Sequence, residues 1–327
     1  MDPASVAKRI YVPTYQEILA RVRTRYPHNV GVYERERRSL ELVRSVVIDK
    51  TEPVLRLRDL VSSLHPFYRE LVAISFNLEE MEEDFACVEK ARRVAQAMWE
   101  RYRYVLMSAG GQAEARRLGR EGRGRMMSQL RRCSRSLERL KELVKFLSGL
   151  PGIDADGPII VVSGPPNAGK STFVSSVSTA RPEVAPYPFT TKSVIVGHAD
   201  VNGVRVQVVD TPGVLDRPLE EMNAAERRAV AALRYLPGPV LFLVDPTEGA
   251  YMPLQDQLRL ARRVMEVMGP RPLVVAVNKV DAVSRGRADE TLEAVTRGLG
   301  VQKVYPMVAR EKGSALKVLR EALRSTP

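Results

Sequence analysis

One stretch constrains this 327-residue chain more than any other: VVSGPPNAGKST, residues 161–172. A greasy run ends directly in a glycine, two prolines and a lysine. The pattern G-x-x-x-x-G-K-[ST] belongs between a strand and a helix, where bare backbone N–H groups and the helix N-terminus wrap around phosphates. The apolar residues before Gly164 supply the strand, and Phe173 to Ser178 supply the helix. Gly164, Pro165, Pro166, Asn167, Ala168, Gly169, Lys170, Ser171 and Thr172 are therefore candidate phosphate-binding residues. Lys170 would reach the β- and γ-phosphates, and the Ser171 hydroxyl would bind Mg²⁺.

Two later stretches narrow the nucleotide. Asp210-Thr211-Pro212-Gly213 is a D-x-x-G behind a β-branched run. There Asp210 would hold Mg²⁺ through water and the Gly213 N–H would face the γ-phosphate. Asn278-Lys279-Val280-Asp281 follows another such run. The Asp281 carboxylate accepts two hydrogen bonds from guanine N1–H and the exocyclic amine, a pair adenine lacks, so ATP should be rejected. Asn278 would brace the loop and Lys279 would pack along the base. Val308, Ala309 and Arg310 stand where a Ser-Ala pair is expected to touch guanine through its backbone. Together these motifs specify a guanine-nucleotide site.

Its catalytic equipment is less complete. In APYPFTTKSVIVG, Thr191 or Thr190 is the candidate to complete Mg²⁺ coordination in the GTP state and swing away after hydrolysis. Alternatively, both threonines merely start a strand. The residue after D-x-x-G is Val214, where a glutamine would orient the attacking water, so intrinsic hydrolysis should be slow or assisted. Asn167 offers one route, holding K⁺ against the phosphates, unless it is there only for loop geometry. Lys170, Asn167 and Thr191 are the candidate catalytic residues.

Strand-like runs at 159–163, 193–199, 204–209, 240–244, 273–277 and 304–308 alternate with helical patterns, which calls for a mostly parallel sheet flanked by helices. Asn202-Gly203 joins the second and third runs and marks a hairpin. The expectation is a six-stranded sheet with one antiparallel edge strand, as in Ras-like P-loop GTPase domains, over residues 156–327. Residues 1–155 read instead as an all-α bundle. Leu78, Met81, Phe85, Val88, Ala95, Met98, Trp99, Tyr102, Val105 and Leu106 form one apolar stripe, and Leu130, Leu137, Leu140, Val144 and Leu147 form another. Between them Gly110, Gly111, Gly119, Gly122 and Gly124 predict a loop or frayed helix over 108–125.

The net charge is +12, and residues 101–150 hold 13 basic against 4 acidic residues. Arg116, Arg117, Arg120, Arg123, Arg125, Arg131 and Arg132 would meet the phosphates of an RNA, or simply form a solvated surface. The chain has no apolar run of ~18 residues and no secretory leader pattern. It ends in Arg324-Ser325-Thr326-Pro327 without a lipidation motif, which speaks against a membrane-associated signalling GTPase. Only Cys87 and Cys133 occur, so no disulfide framework is expected and a reducing, cytoplasmic setting is the simplest inference.

YPFTT, PPNAGKST and DTPG resemble the Obg–Nog branch of translation-associated GTPases. DTPGVLDRPLEEMNAAE, DPTEGAY, RRCSRSLERLKELVKFLSGLPGID and YVPTYQEILARVRTRYP are similar to the Nog family, and the likeness covers nearly the whole chain. Departures are Ala168, Met222 and Val308, none of them a phosphate or metal ligand. The resemblance implies the compact archaeal form; GTP/GDP and Mg²⁺ are the cofactors the motifs call for, and a monomer is the default expectation. The resemblance also implies a role in maturing the large ribosomal subunit, its helical domain docking on rRNA and ribosomal protein, with no DNA or membrane partner. A GTP-dependent switch that does not hydrolyse is the alternative.

Overall fold

The computed structural model describes residues 2–188, 193–210, 223–224, 230–231 and 233–325. The first half holds helices α1 (Pro3–Ala7), α2 (Tyr15–Thr24), α3 (Val32–Ser62), α4 (Pro66–Ser75), α5 (Leu78–Met107), α6 (Gln112–Arg132) and α7 (Ser134–Ser148). The chain divides into two compact units. One comprises Ser5–Ser63 and Ser75–Ser148, the other Met1–Ala4, Leu64–Ile74 and Gly149–Pro327. So α4 clusters with the later half of the chain rather than with the other long helices. Tyr68 explains its attachment: the buried hydroxyl donates to Pro151 O at 2.8 Å and accepts from Ile153 N at 2.9 Å. Burial pushes that phenol far above its ordinary value, so it stays neutral.

In the helical unit, α3, α5 and α6 pack side by side through Leu40, Val43, Val47, Phe85, Val88, Ala95, Met126 and Leu130, all buried. The unit corrects the expectation of a loop over 108–125, because α6 runs unbroken from Gln112. Its glycines are there for contact. A Cβ on Gly119 would stand 2.3 Å from Glu36 Oε2, and one on Gly122 would stand 2.7 Å from Leu40 Cδ2. Helix propensity lost at these positions is offset by the close approach of α6 to α3 and α5. A second correction concerns the cysteines. Cys87 on α5 and Cys133 at the end of α6 are disulfide-bonded, with Cα atoms 5.8 Å apart. The bond removes the argument from free thiols for a reducing compartment.

Among the described residues the sheet of the other unit has seven strands: β1 (Ile159–Ser163), β2 (Glu183–Pro186), β3 (Ser193–Val201), β4 (Val204–Asp210), β5 (Val240–Val244), β6 (Leu273–Val277) and β7 (Val304–Pro306), in the order β2-β3-β4-β1-β5-β6-β7. All neighbours are parallel except those of β3, which is antiparallel to β4 and to β2. The expected six strands thus become seven, and β3 is an inner strand, not an edge. Glu183–Pro186 escaped notice because three of its four residues are exposed, leaving no buried apolar run to read. The hairpin turns where Asn-Gly requires, with Asn202 and Gly203 both at positive φ. Helices α8 (Lys170–Val177), α9 (Leu254–Met268), α10 (Arg285–Leu299) and α11 (Lys312–Arg324) belong to the same unit, with short 3-10 turns at Leu233–Tyr235 and Val280–Ala282. Strands β1, β5 and β6 are buried almost throughout, as a sheet covered on both faces requires.

Candidate functional site

The carboxyl ends of the parallel strands β1, β4, β5, β6 and β7 lie on one side of the sheet, where ligands bind in open α/β sheets. The loop from Gly164 to Gly169 owes its shape to its glycines. Gly164 has φ +145°, and a Cβ there would lie 2.5 Å from Leu243 O. Gly169 has φ +95° and sits against Asn278, whose Nδ2 would be 2.3 Å from an added Cβ. Between them Asn167, exposed, also takes a positive φ of 64°. The first helical bond of α8 that closes on this loop runs from Phe173 N to Gly169 O. The N–H groups of Lys170, Ser171 and Thr172 therefore precede the helix ladder and stand at its positive end.

Lys170 is 6% exposed and curls its ammonium back over the loop, onto Gly164 O at 2.6 Å and Pro165 O at 2.9 Å. The Ser171 hydroxyl donates to Asp210 Oδ2 at 2.8 Å, and Asp210 is fully buried at the end of β4. A hydroxyl beside a buried carboxylate, next to a phosphate cradle, is a hard oxygen donor pair of the kind Mg²⁺ takes together with phosphate oxygens. The residues present fit that ion. Thr190, Thr191, Gly213, Val214 and Met222 lie outside the described residues. Just before them Tyr187 is buried, which pushes its phenol well above the usual range.

Asn278 ties three loops together. Its Nδ2 donates to Ala168 O at 2.7 Å in the phosphate loop, and its Oδ1 accepts from Ala309 N at 2.8 Å after β7. Its own N–H bonds Val244 O at 2.8 Å. Asp281 stands exposed three residues on, and Arg310 donates to its Oδ2. Val308 and Ala309 are buried behind Arg310.

Lys279 takes a left-handed φ of 59° and puts its ammonium 2.6 Å from Asp245 Oδ2. Asp245 went unassigned on sequence, where DPTEGAY carried only a family likeness. It is 3% exposed, accepts from Thr247 N and Oγ1, and its backbone N–H is held by Gln257 Oε1 at 2.9 Å. An aspartate ending a buried strand opposite the lysine of N-K-x-D is the signal that would have found it.

The arginine block divides. Arg116, Arg117, Arg120, Arg125, Arg131 and Arg132 are exposed. Arg123 must be removed from the RNA-facing group: its guanidinium turns inward to Glu36 and Ser39, and Glu36 is only 3% exposed. A buried carboxylate needs that partner.

This geometry, a phosphate loop joined through an asparagine brace to the loops after β6 and β7, is that of a P-loop GTPase domain, which follows a helical N-terminal half along the chain. The family described as "50S ribosome-binding GTPase" matches residues 159–279, and the family described as "NOG1 N-terminal helical domain" matches residues 11–154. The chain belongs to the Nog family of GTP-binding proteins. It is 34% identical to nucleolar GTP-binding protein 1 of Caenorhabditis elegans over 77% of its own length and 37% of the relative's. It is 32% identical to the Drosophila melanogaster protein of the same name over 80% and 40%. A solved structure assigned to nucleolar GTP-binding protein 1 of Plasmodium falciparum is 27% identical, with a TM-score of 0.45, over 54% of this chain and 89% of that one. The chain thus spans about two fifths of the length of the curated relatives it matches.

Proposed function

We propose that the protein binds GTP, hydrolyses it slowly, and acts as an assembly factor on the large ribosomal subunit. The observation that carries the nucleotide reading is the Asn278 bridge, which fixes Asp281 relative to the phosphate cradle. In this reading Asp281 accepts from guanine N1–H and the 2-amino group, while Lys279, steadied by Asp245, lies along the base. Arg310 holds one carboxylate oxygen and so limits the rotation of the Asp281 carboxylate. Lys170 shifts from the loop carbonyls to the β- and γ-phosphates. Ser171 and Asp210 would hold Mg²⁺, which supplies positive charge to the phosphates when bound. Thr191 or Thr190 serves as the switch threonine. The ribosomal half of the proposal rests on the family and on the exposed arginines.

Nucleotide titration tests the first half. Asp281→Asn should weaken GTP binding roughly 10²–10⁴-fold, two charge-assisted hydrogen bonds at about 1.5–3 kcal/mol each, while ATP binding stays as poor as before. Equal affinity for ATP and GTP in the unaltered protein would end the proposal. Co-sedimentation with large subunits, carrying GDP or a non-hydrolysable GTP analogue, tests the second half.

The non-hydrolysing switch is kept as a second reading because Val214, one residue past D-T-P-G, cannot orient water. Phosphate release in K⁺ against Na⁺, with and without subunits, separates the two. K⁺-dependent turnover lost in Asn167→Ala would assign Asn167 the role of holding that ion.

A further inference from the structure

Helix α6 carries three glycines, and internal packing accounts for two of them. Gly119 meets Glu36 and Gly122 meets Leu40 and Tyr102, but nothing lies within 4 Å of where a Gly124 Cβ would stand. Gly124 is exposed in the middle of a regular helix. That position costs about 1 kcal/mol relative to alanine, and nothing inside the unit offsets it.

Its surroundings are specific. At about 100° per residue, Arg116, Arg117, Arg120, Gly124 and Arg131 fall within an arc of about 100°. All five are exposed. Arg116, Arg120 and Arg131 have no ion-pair partner among the described residues, and Arg117 has only a 3.5 Å contact with Glu114. Of the three α6 arginines off the arc, Arg132 is exposed like those on it, and two are engaged within the unit. Arg123 is committed to Glu36 and Ser39, and Arg125 to Glu121 at 2.6 Å. Four exposed arginines, three of them without an ion-pair partner among the described residues, line one strip, and the glycine sits between them.

We infer that this strip docks the phosphodiester backbone of a structured RNA, with Gly124 admitting the backbone against the helix. The inference rests on the ribosomal reading above and adds which surface makes the contact and how. Among the described residues, none of the exposed large apolar side chains lies on α6, which disfavours a lipid surface or an apolar protein patch. A merely solvated arginine face has no use for a glycine that loosens its helix. A polyanion approaching closely does, since a side chain at 124 would hold it away from the flanking guanidinium groups. The strip from Arg116 to Arg131 is about 22 Å long, enough for several successive phosphates. Without aromatic side chains to stack bases, it should read shape and charge and be indifferent to sequence.

The experiment uses the full chain and a fluorescein-labelled RNA hairpin, with phosphatidylserine vesicles as a second probe. Gly124→Leu should raise the melting temperature by about 1–3 °C and weaken hairpin binding at least about 10-fold, with Gly124→Ala in between. Replacing Arg116, Arg120 and Arg131 by glutamine should reduce the slope of log affinity against log salt by about three, while Arg125→Gln leaves it unchanged. Hairpin binding unaffected by Gly124→Leu overturns the inference and leaves the ribosomal reading standing. An unaltered protein that binds neither hairpin nor large subunits overturns both. Vesicle binding that is lost in Gly124→Leu, with hairpin binding retained, assigns the strip to lipid and likewise overturns the proposal.

Discussion

Both units contain glycines at which a Cβ would collide with a neighbour, but the neighbours differ in kind. Gly164 in the sheet unit has a left-handed φ and faces a carbonyl oxygen of β5, so backbone opposes backbone. Gly122 in the helical unit has ordinary helical geometry and faces the side chains of Leu40 and Tyr102. The first constraint cannot relax without moving a buried strand; the second can yield through rotamers. The nucleotide site is therefore a rigid backbone construction, whereas the helical unit is held by side-chain packing that tolerates adjustment.

Alanine at each position breaks or sharpens that contrast in the intact chain. Trp99, the single tryptophan, lies on α5 and reports on the helical unit, while GTP binding reports on the other. Gly164→Ala should cost about 2–6 kcal/mol, combining backbone strain with overpacking, and abolish measurable GTP binding. Gly122→Ala should cost much less, because about 1 kcal/mol of helix propensity is regained as Leu40 and Tyr102 shift. Equal losses would mean that the helical unit is as unyielding as the phosphate loop.

The same contrast decides what the sequence discloses. The site is legible because each motif follows its strand within a few residues, so that Gly164, Lys170, Asp210 and Asn278 arrive at one sheet edge by topology alone. What escaped there was an interaction across loops: Asp245 to Lys279, 34 residues apart. In the helical unit nearly everything that matters is of that distant kind. Arg123 reaches Glu36 across 87 residues and Arg139 reaches Asp84 across 55. No local pattern says that an arginine in a basic block will turn inward, or that a glycine in a helix marks a close crossing. The frayed helix read over 108–125 and the RNA role read for Arg123 failed for this shared reason.

The disulfide offers the next largest test. Cys87 and Cys133 close a loop of 46 residues, and constraining a loop of that size contributes about 2–4 kcal/mol. Reduction, or Cys87→Ala with Cys133→Ala, should lower the Trp99 unfolding transition accordingly and leave GTP affinity unchanged. A fall in nucleotide affinity on reduction would show the two units to be coupled and the contrast between them too sharp.

The smallest effect expected is electrostatic and falls on the helical unit. Glu17 closes the capping box of α2: it accepts from Thr14 N at 2.6 Å and from the Tyr11 hydroxyl at 2.5 Å, with Lys141 at 3.7 Å. The hydrogen bond from Tyr11, then that from Thr14, holds its carboxyl at about 2 against an ordinary 4.5. A depressed folded-state pKa means that this stabilisation is complete above pH 4.5 and is lost as pH falls toward 2. Because the group is solvent-exposed, salt should weaken the effect. Glu17→Gln should lower the stability read by Trp99 slightly at neutral pH and flatten its decline between pH 4.5 and 2. An unchanged decline would mean that acid acts on the helical unit through other carboxylates, Glu34 being the first to examine because Arg37 and Arg38 hold it at about 2 as well.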